Sequence, residues 1–188
     1  MSVSVEPSQM GANMIRTGFH LCVSIAILLG PLPICAQTNQ DRATLPGLNG
    51  VYPQLRFTFD GTMAGLNEPS LQTLLELRLR AVGIPVLTQD QMLEAPGYPE
   101  LDLQIIIIPT KTVGGTLRGY AYAIKLKLVQ AISLRRTPKI THVGGSTWST
   151  PLWIGTASID DSPSHIRERV TELVDRFAND YLTMNPRR

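Results

Sequence analysis

From Tyr120 to Leu134 the chain alternates: Tyr120, Tyr122, Ile124, Leu126, Leu128, Ile132 and Leu134 fall on one parity, Ala121, Ala123, Lys125, Lys127 and Ser133 on the other. A period of two sends these sets to opposite faces of a strand, one apolar and one carrying charge. Arg135 to Lys139 turns the strand back, and Ile140 to about Thr156 reads as its antiparallel return. Gly144-Gly145 and Pro151 interrupt that return, so a bulge or bend is expected there. Upstream, Leu101-Asp102-Leu103-Gln104 alternates before Ile105 to Ile108 turns apolar on both parities. That is the pattern of a strand entering a sheet with both faces covered, and Pro109 directly after it argues against a buried helix.

Val51, Leu55, Phe57 and Phe59 share a parity against Gln54, Arg56 and Thr58, which makes a first, half-buried strand. Asn67 is placed to cap a helix over 68–82, with Glu68 and Pro69 suited to its first turn, Leu71, Leu74, Leu75, Leu79 and Val82 at helical spacing, and Gly83 ending it. Ile84, Val86 and Leu87 read as a short strand, and Ala95-Pro96-Gly97-Tyr98-Pro99 as an irregular loop. Ser162-Pro163 opens a last helix whose apolar stripe is Ile166, Val170, Leu173, Val174, Phe177 and Tyr181.

The resulting order, β-α-β-β-β-β-α, is an α+β fold: a two-layer sandwich with a mostly antiparallel sheet and two helices on one face. Phe57, Leu74, Ile105, Ile124, Leu126, Val170, Leu173 and Phe177 are expected in one core. The domain runs over 51–185, with the polar, turn-rich stretch 37–50 ahead of it as a flexible lead.

The first 36 residues have the layout of a secretory signal. Arg16 precedes the apolar run Leu21 to Leu29, Gly30-Pro31-Leu32-Pro33 breaks it, and Ile34-Cys35-Ala36 offers a cleavage site after Ala36. Residues 1–13 hold a further methionine, Met10, and no apolar run, which leaves Met14 as an alternative start. The apolar run is too short for a bilayer-spanning helix, so no stable membrane span is expected after cleavage. A lipoprotein signal would use Cys35, but Ile34 is bulkier than the small residue such signals place before the cysteine. Both cysteines, Cys22 and Cys35, lie in this segment, so a processed chain carries no thiol and no disulfide. With no Asn-x-Ser/Thr acceptor either, a bacterial periplasm fits better than eukaryotic secretion.

Hydrophobic residues at 43% and charged residues at 17% suffice for a core and exclude a mostly disordered chain. A formal charge of +2 disfavours dedicated nucleic-acid binding. Gly114-Gly115-Thr116-Leu117-Arg118-Gly119 lacks the Lys-Ser/Thr tail of a phosphate loop and leads into a strand, so it reads as a hairpin turn. Gly144-Gly145-Ser146-Thr147-Trp148 has Trp where a nucleophile elbow needs Gly. Beyond the signal the histidines are His142 and His165, neither in metal-ligand spacing, so no metal and no cofactor is expected. Two classes of function remain. One is a non-catalytic binding or accessory module whose partner, an envelope protein or a glycan, meets Lys125, Lys127, Trp148 and Trp153. The other is an envelope hydrolase using His142 with Ser146 and Asp160. Trp148 and Trp153 are five residues apart, hence on opposite faces unless Pro151 shifts the phase. Nothing in the patterning encodes an oligomeric state.

Three pieces carry a resemblance: Leu77-Arg78-Leu79-Arg80-Ala81-Val82-Gly83-Ile84-Pro85-Val86-Leu87, Thr147-Trp148-Ser149-Thr150, and Val174-Asp175-Arg176-Phe177-Ala178-Asn179-Asp180-Tyr181-Leu182. They resemble segments of small exported bacterial proteins of unassigned function. More loosely, the order of elements is similar to the α/β domains of envelope accessory proteins such as the N-terminal domain of the Tol-system propeller protein. The resemblance implies a fold and a compartment and transfers no catalytic residue.

Overall fold

The long alternating segment is strand β3, Leu117–Leu134, and it holds the middle of the sheet. The computed structural model describes residues 39–186 apart from 60, 62 and 64; the segment read as an export signal and both cysteines lie outside the described residues. On one side of β3 runs β2, Glu100–Lys111, antiparallel, with Leu103 opposite Leu126 and Ile105 opposite Ile124. Beyond β2 lies β1, Tyr52–Phe59, paired in parallel, with Leu55 opposite Leu103 and Phe57 opposite Ile105. Two shorter strands share the other side of β3 end to end: β4, Thr137–Ser149, and β5, Trp153–Ser158.

The interrupted return strand is thus real, and its gap is chemically specific. Pro151 has no N–H to give a ladder. At the adjacent Thr150 the backbone N–H donates to the Leu126 carbonyl at 2.8 Å, while the Leu126 N–H donates to the threonine hydroxyl at 3.0 Å. A side-chain oxygen replaces the strand carbonyl, so Leu126 stays satisfied across the break.

Helix α2, Glu68–Ala81, begins where Asn67 accepts the Ser70 N–H at 2.9 Å, and α4, Ser162–Met184, closes the chain. The α4 cap is Asp161, one residue before the expected Ser162, and its carboxylate accepts the Ser158 hydroxyl at 2.6 Å. Leu71, Leu75 and Leu79 of α2 and Ile166, Val170, Val174, Phe177 and Tyr181 of α4 are buried in one cluster with Leu55, Leu103, Ile105, Ile124 and Leu126. Both helices therefore cover the same face, as the α+β sandwich expectation required. Phe57, Leu74 and Leu173 pack on the rim of this core, partly exposed. Arg78 of α2 donates from Nε and Nη2 to the two carboxylate oxygens of Asp175 of α4, each at 2.6 Å, and this contact raises the Arg78 pKa above its ordinary value.

Four sequence expectations change. The short strand at Ile84 to Leu87 shrinks to one bridge, Val51 to Val86. The Val51 N–H donates to the Pro85 carbonyl and its carbonyl accepts from the Leu87 N–H, but the next donor along β1 is Pro53, which has none. A helical turn stands where none was expected: α3, Gln89–Glu94, started by a reciprocal cap in which Thr88 and Gln91 each bond the other's backbone N–H. The polar lead is pinned down: after a short helix α1, Asn39–Arg42, Leu45 and Leu48 are buried, and Asn185 donates to the Leu45 carbonyl at 3.0 Å. Finally, β2 is covered on both faces only in its first half, since Ile106 and Ile108 point away from α2 and α4 and are exposed.

Candidate functional site

Register along the sheet defines the face turned away from α2 and α4. Residues paired across a ladder share a face, so Gln54, Asp102 and Lys127 form one row, Arg56, Gln104 and Lys125 the next, and Thr58, Ile106, Ala123 and Ile154 a third. The first two rows are polar and the third is apolar.

The polar rows centre on Asp102, which is fully buried although it lies on the open face. Its Oδ2 accepts from Gln104 Nε2 at 3.0 Å and faces Lys127 Nζ at 3.1 Å. Its Oδ1 lies 3.1 Å from Arg56 Nε but off the N–H direction, so that contact is an ion pair without a hydrogen bond. Arg56 also donates from Nη2 to Glu100 at 3.2 Å. Two cations and two carboxylates thus balance, and the aliphatic stems of Arg56 and Lys127 wall the carboxylate off from water.

Beside this cluster α3 and the loop after it fold over the sheet, leaving a cleft of about 500 Å³ lined by Arg56, Lys127, Glu100, Leu93, Tyr98 and Val143 among others. Met92 is buried and holds α3 down. The Gly97 carbonyl accepts from the Ala131 N–H at 2.7 Å and anchors the loop to β3. Tyr98 follows in the left-handed region, at φ 49°, with an exposed ring. A tyrosine there is uncommon and costs backbone strain.

At the other end of the open face Ile106, Ile108 and Ile154 are exposed, at 47%, 59% and 70%, around a shallow apolar hollow of about 120 Å³. Antiparallel sheets often leave one face to water, but that face is normally polar. Three isoleucines on it are the departure.

Of the residues singled out in the sequence, Lys125 and Lys127 lie on this open face. Trp148 and Trp153 do not. Trp148 pairs with Leu128 and Trp153 with Ile124, both inward residues, because the break at Thr150 to Leu152 shifts the phase and brings the two indoles to the helix face. Trp148 is buried, edge-on to Phe177 with ring centroids 5.0 Å apart. Trp153 is half exposed at the sheet's edge, beneath the Arg169 guanidinium 4.3 Å from its ring centroid. The four residues do not form one surface.

His142, Ser146 and Asp160 are all exposed and do not converge. His142 pairs with Ile132, while Asp160 follows Ser158, which pairs with Gly119, so the two lie roughly 40 Å apart along β3. Among the described residues no three or more His, Cys, Asp or Glu come together as a metal site, and no helix is long and apolar enough to cross a membrane. Sequence reasoning missed Arg56, Asp102 and Tyr98. A Thr-x-x-Gln capping signature at Thr88 to Gln91 was the available sign of the helix that roofs the cleft.

No protein-family model and no curated protein matches the chain. Solved structures that are distantly similar include the following two. PelC from Paraburkholderia phytofirmans, solved as a dodecamer, is 15% identical with a TM-score of 0.38, covering 73% of this chain and 90% of that one. The rare lipoprotein B of Shewanella oneidensis is 12% identical with a TM-score of 0.33, covering 72% and 95% respectively. Likeness at this level transfers no role to any residue here.

Proposed function

We propose that this chain is a non-catalytic binding module of the bacterial envelope, exported to the periplasm by its first 36 residues, and that it takes a protein partner on the sheet face turned away from α2 and α4. The observation that carries the reading is the exposed row of Ile106, Ile108 and Ile154 on that face, continuous with the charged cleft at Arg56, Asp102 and Lys127. Aliphatic side chains next to both signs of charge suit a protein surface better than a sugar ring, which would want the broad flat face of a tryptophan, and both tryptophans lie on the other face.

Photo-crosslinking side chains placed at Ile108, Ile154 and Tyr98 test this in cells. A discrete partner is expected at these three positions and not at Leu77, exposed on α2. The same adducts at Leu77, or none on the open face, would remove the reading. Export is tested separately by the N-terminus of the chain in a periplasmic extract, expected at Gln37.

A further inference from the structure

From Leu103 to Ile159 the chain has no Asp or Glu, yet it carries Lys111, Arg118, Lys125, Lys127, Arg135, Arg136 and Lys139. The near-neutral overall charge hides this segregation. Three of these cations gather at one place. The ladder between β2 and β3 ends at Glu100 opposite Val129, whereas β3 and β4 continue as a two-stranded ribbon to a turn at Arg135-Arg136. The Gly97 carbonyl still holds the Ala131 N–H, so the free ribbon begins there and its turn stands roughly 10 Å further on at strand rise.

Along this ribbon Arg135, Arg136 and Lys139 are exposed, and so are Ile132 and Ile140. Among the described residues no carboxylate pairs with the three cations. An isolated protruding ribbon of this kind is at best marginally stable in water. Aliphatics partly open to water beside cations with no carboxylate partner, on a projecting tip, match the two-part chemistry of an anionic lipid surface, where phosphates meet the cations and the acyl boundary meets the aliphatics. An acidic protein would satisfy the charges but would not call for isoleucines around a slender tip.

We propose that the β3–β4 ribbon is a membrane-surface arm that docks the domain on anionic lipid headgroups through Arg135, Arg136 and Lys139, with Ile132 and Ile140 dipping into the interface. It uses a different surface from the open-face partner site and does not depend on it.

Vesicle co-sedimentation of the full chain decides this, with phosphatidylcholine vesicles with and without phosphatidylglycerol. At about fivefold per surface cation, the variant Arg135→Ser/Arg136→Ser/Lys139→Ser should bind anionic vesicles about a hundredfold more weakly than wild type. Both proteins should bind neutral vesicles equally, since the apolar segment near the start is common to them. Raising salt should abolish the wild-type excess. Lys111→Ser/Arg118→Ser, at the far end of β3, should bind like wild type. Circular dichroism checks that each variant is folded, and single Arg136→Ser replaces the triple variant if it is not. Equal wild-type binding to both vesicle types overturns the proposal, as does an equal loss from the Lys111/Arg118 variant. Capture by soluble polyglutamate without vesicle binding would assign the arm to acidic proteins instead and overturn it too.

Discussion

Trp148 donates its indole N–H to Asp180 at 3.0 Å, joining the last turn of β4 to α4 through a carboxylate that is itself almost buried. The second oxygen of Asp180 faces Arg42 Nε of α1 at 2.9 Å. The tryptophan therefore contributes through its nitrogen as well as its ring. Trp148→Phe keeps the stacking on Phe177 but leaves one carboxylate oxygen without its donor, an expected loss of about 1–3 kcal/mol in urea unfolding. A loss below about 0.5 kcal/mol would show that water reaches Asp180.

Tyr181 supplies a pH test. Its hydroxyl donates to the Leu48 carbonyl at 2.6 Å, and burial raises its pKa above the ordinary 10.0. In the unfolded chain the phenol ionises near its ordinary value, while in the folded chain it stays neutral to higher pH. Its contribution to stability is thus complete below about pH 10 and is lost as pH rises through the raised folded value. Tyr181→Phe should be less stable than wild type at pH 8 by about 1 kcal/mol, with the gap narrowing by pH 11. A gap that is constant with pH would contradict the burial.

The Asp102 cluster predicts non-additivity. Lys127→Met leaves a buried carboxylate with Gln104 and the misaligned Arg56, a cost of about 3 kcal/mol. Asp102→Leu releases cations that can still reach water and should cost less. The double variant Asp102→Leu/Lys127→Met should recover most of the Lys127→Met loss, because the stranded charge is gone. Additive losses in a double-mutant cycle would mean that the two side chains act independently.

Gly119 tests the seam between β3 and β5. A Cβ there would overlap the Ala157 carbonyl oxygen, a backbone atom that cannot swing away. Gly119→Ala should cost more than about 2 kcal/mol and raise amide exchange along β5 ahead of β2. Uniform exchange changes would place the strain elsewhere.

How much of this was legible in the chain follows from which interactions are local. The alternation of Tyr120 to Leu134 and the stripe from Ile166 to Tyr181 are one-dimensional signals; Tyr120 to Leu128 and most of the stripe became core, while Ile132, beyond the end of β2, stayed exposed. The break at Pro151 was visible and a phase shift there was allowed for, but which of the two outcomes holds was not, since the number of residues absorbed between Ser149 and Trp153 depends on how Thr150 meets Leu126. That step put the two tryptophans on the same face, the helix face, away from the lysines. Asp102, Arg56 and Lys127 come from three strands and meet only through register, which no single segment encodes. Ile106 and Ile108 looked like a doubly covered strand because an open apolar face and a buried one have the same pattern.

Tyr98 ties the cleft to its proposed use. A side chain at φ 49° costs about 1 kcal/mol that Asn, with its short polar side chain, largely avoids. The residue is 39% exposed, so its packing offsets that cost only in part. Tyr98→Asn should therefore leave stability unchanged or raise it by up to about 1 kcal/mol, whereas Tyr98→Ala, which keeps the strain and loses the ring, should be no better than wild type. In the same proteins a partner crosslinked through Ile154 should be recovered less well from both variants. That combination would mean the strain is kept for the ring's contact with a partner. A clear destabilisation by Asn would instead make Tyr98 a structural prop for the loop, and the cleft would lose its aromatic wall as an argument for binding.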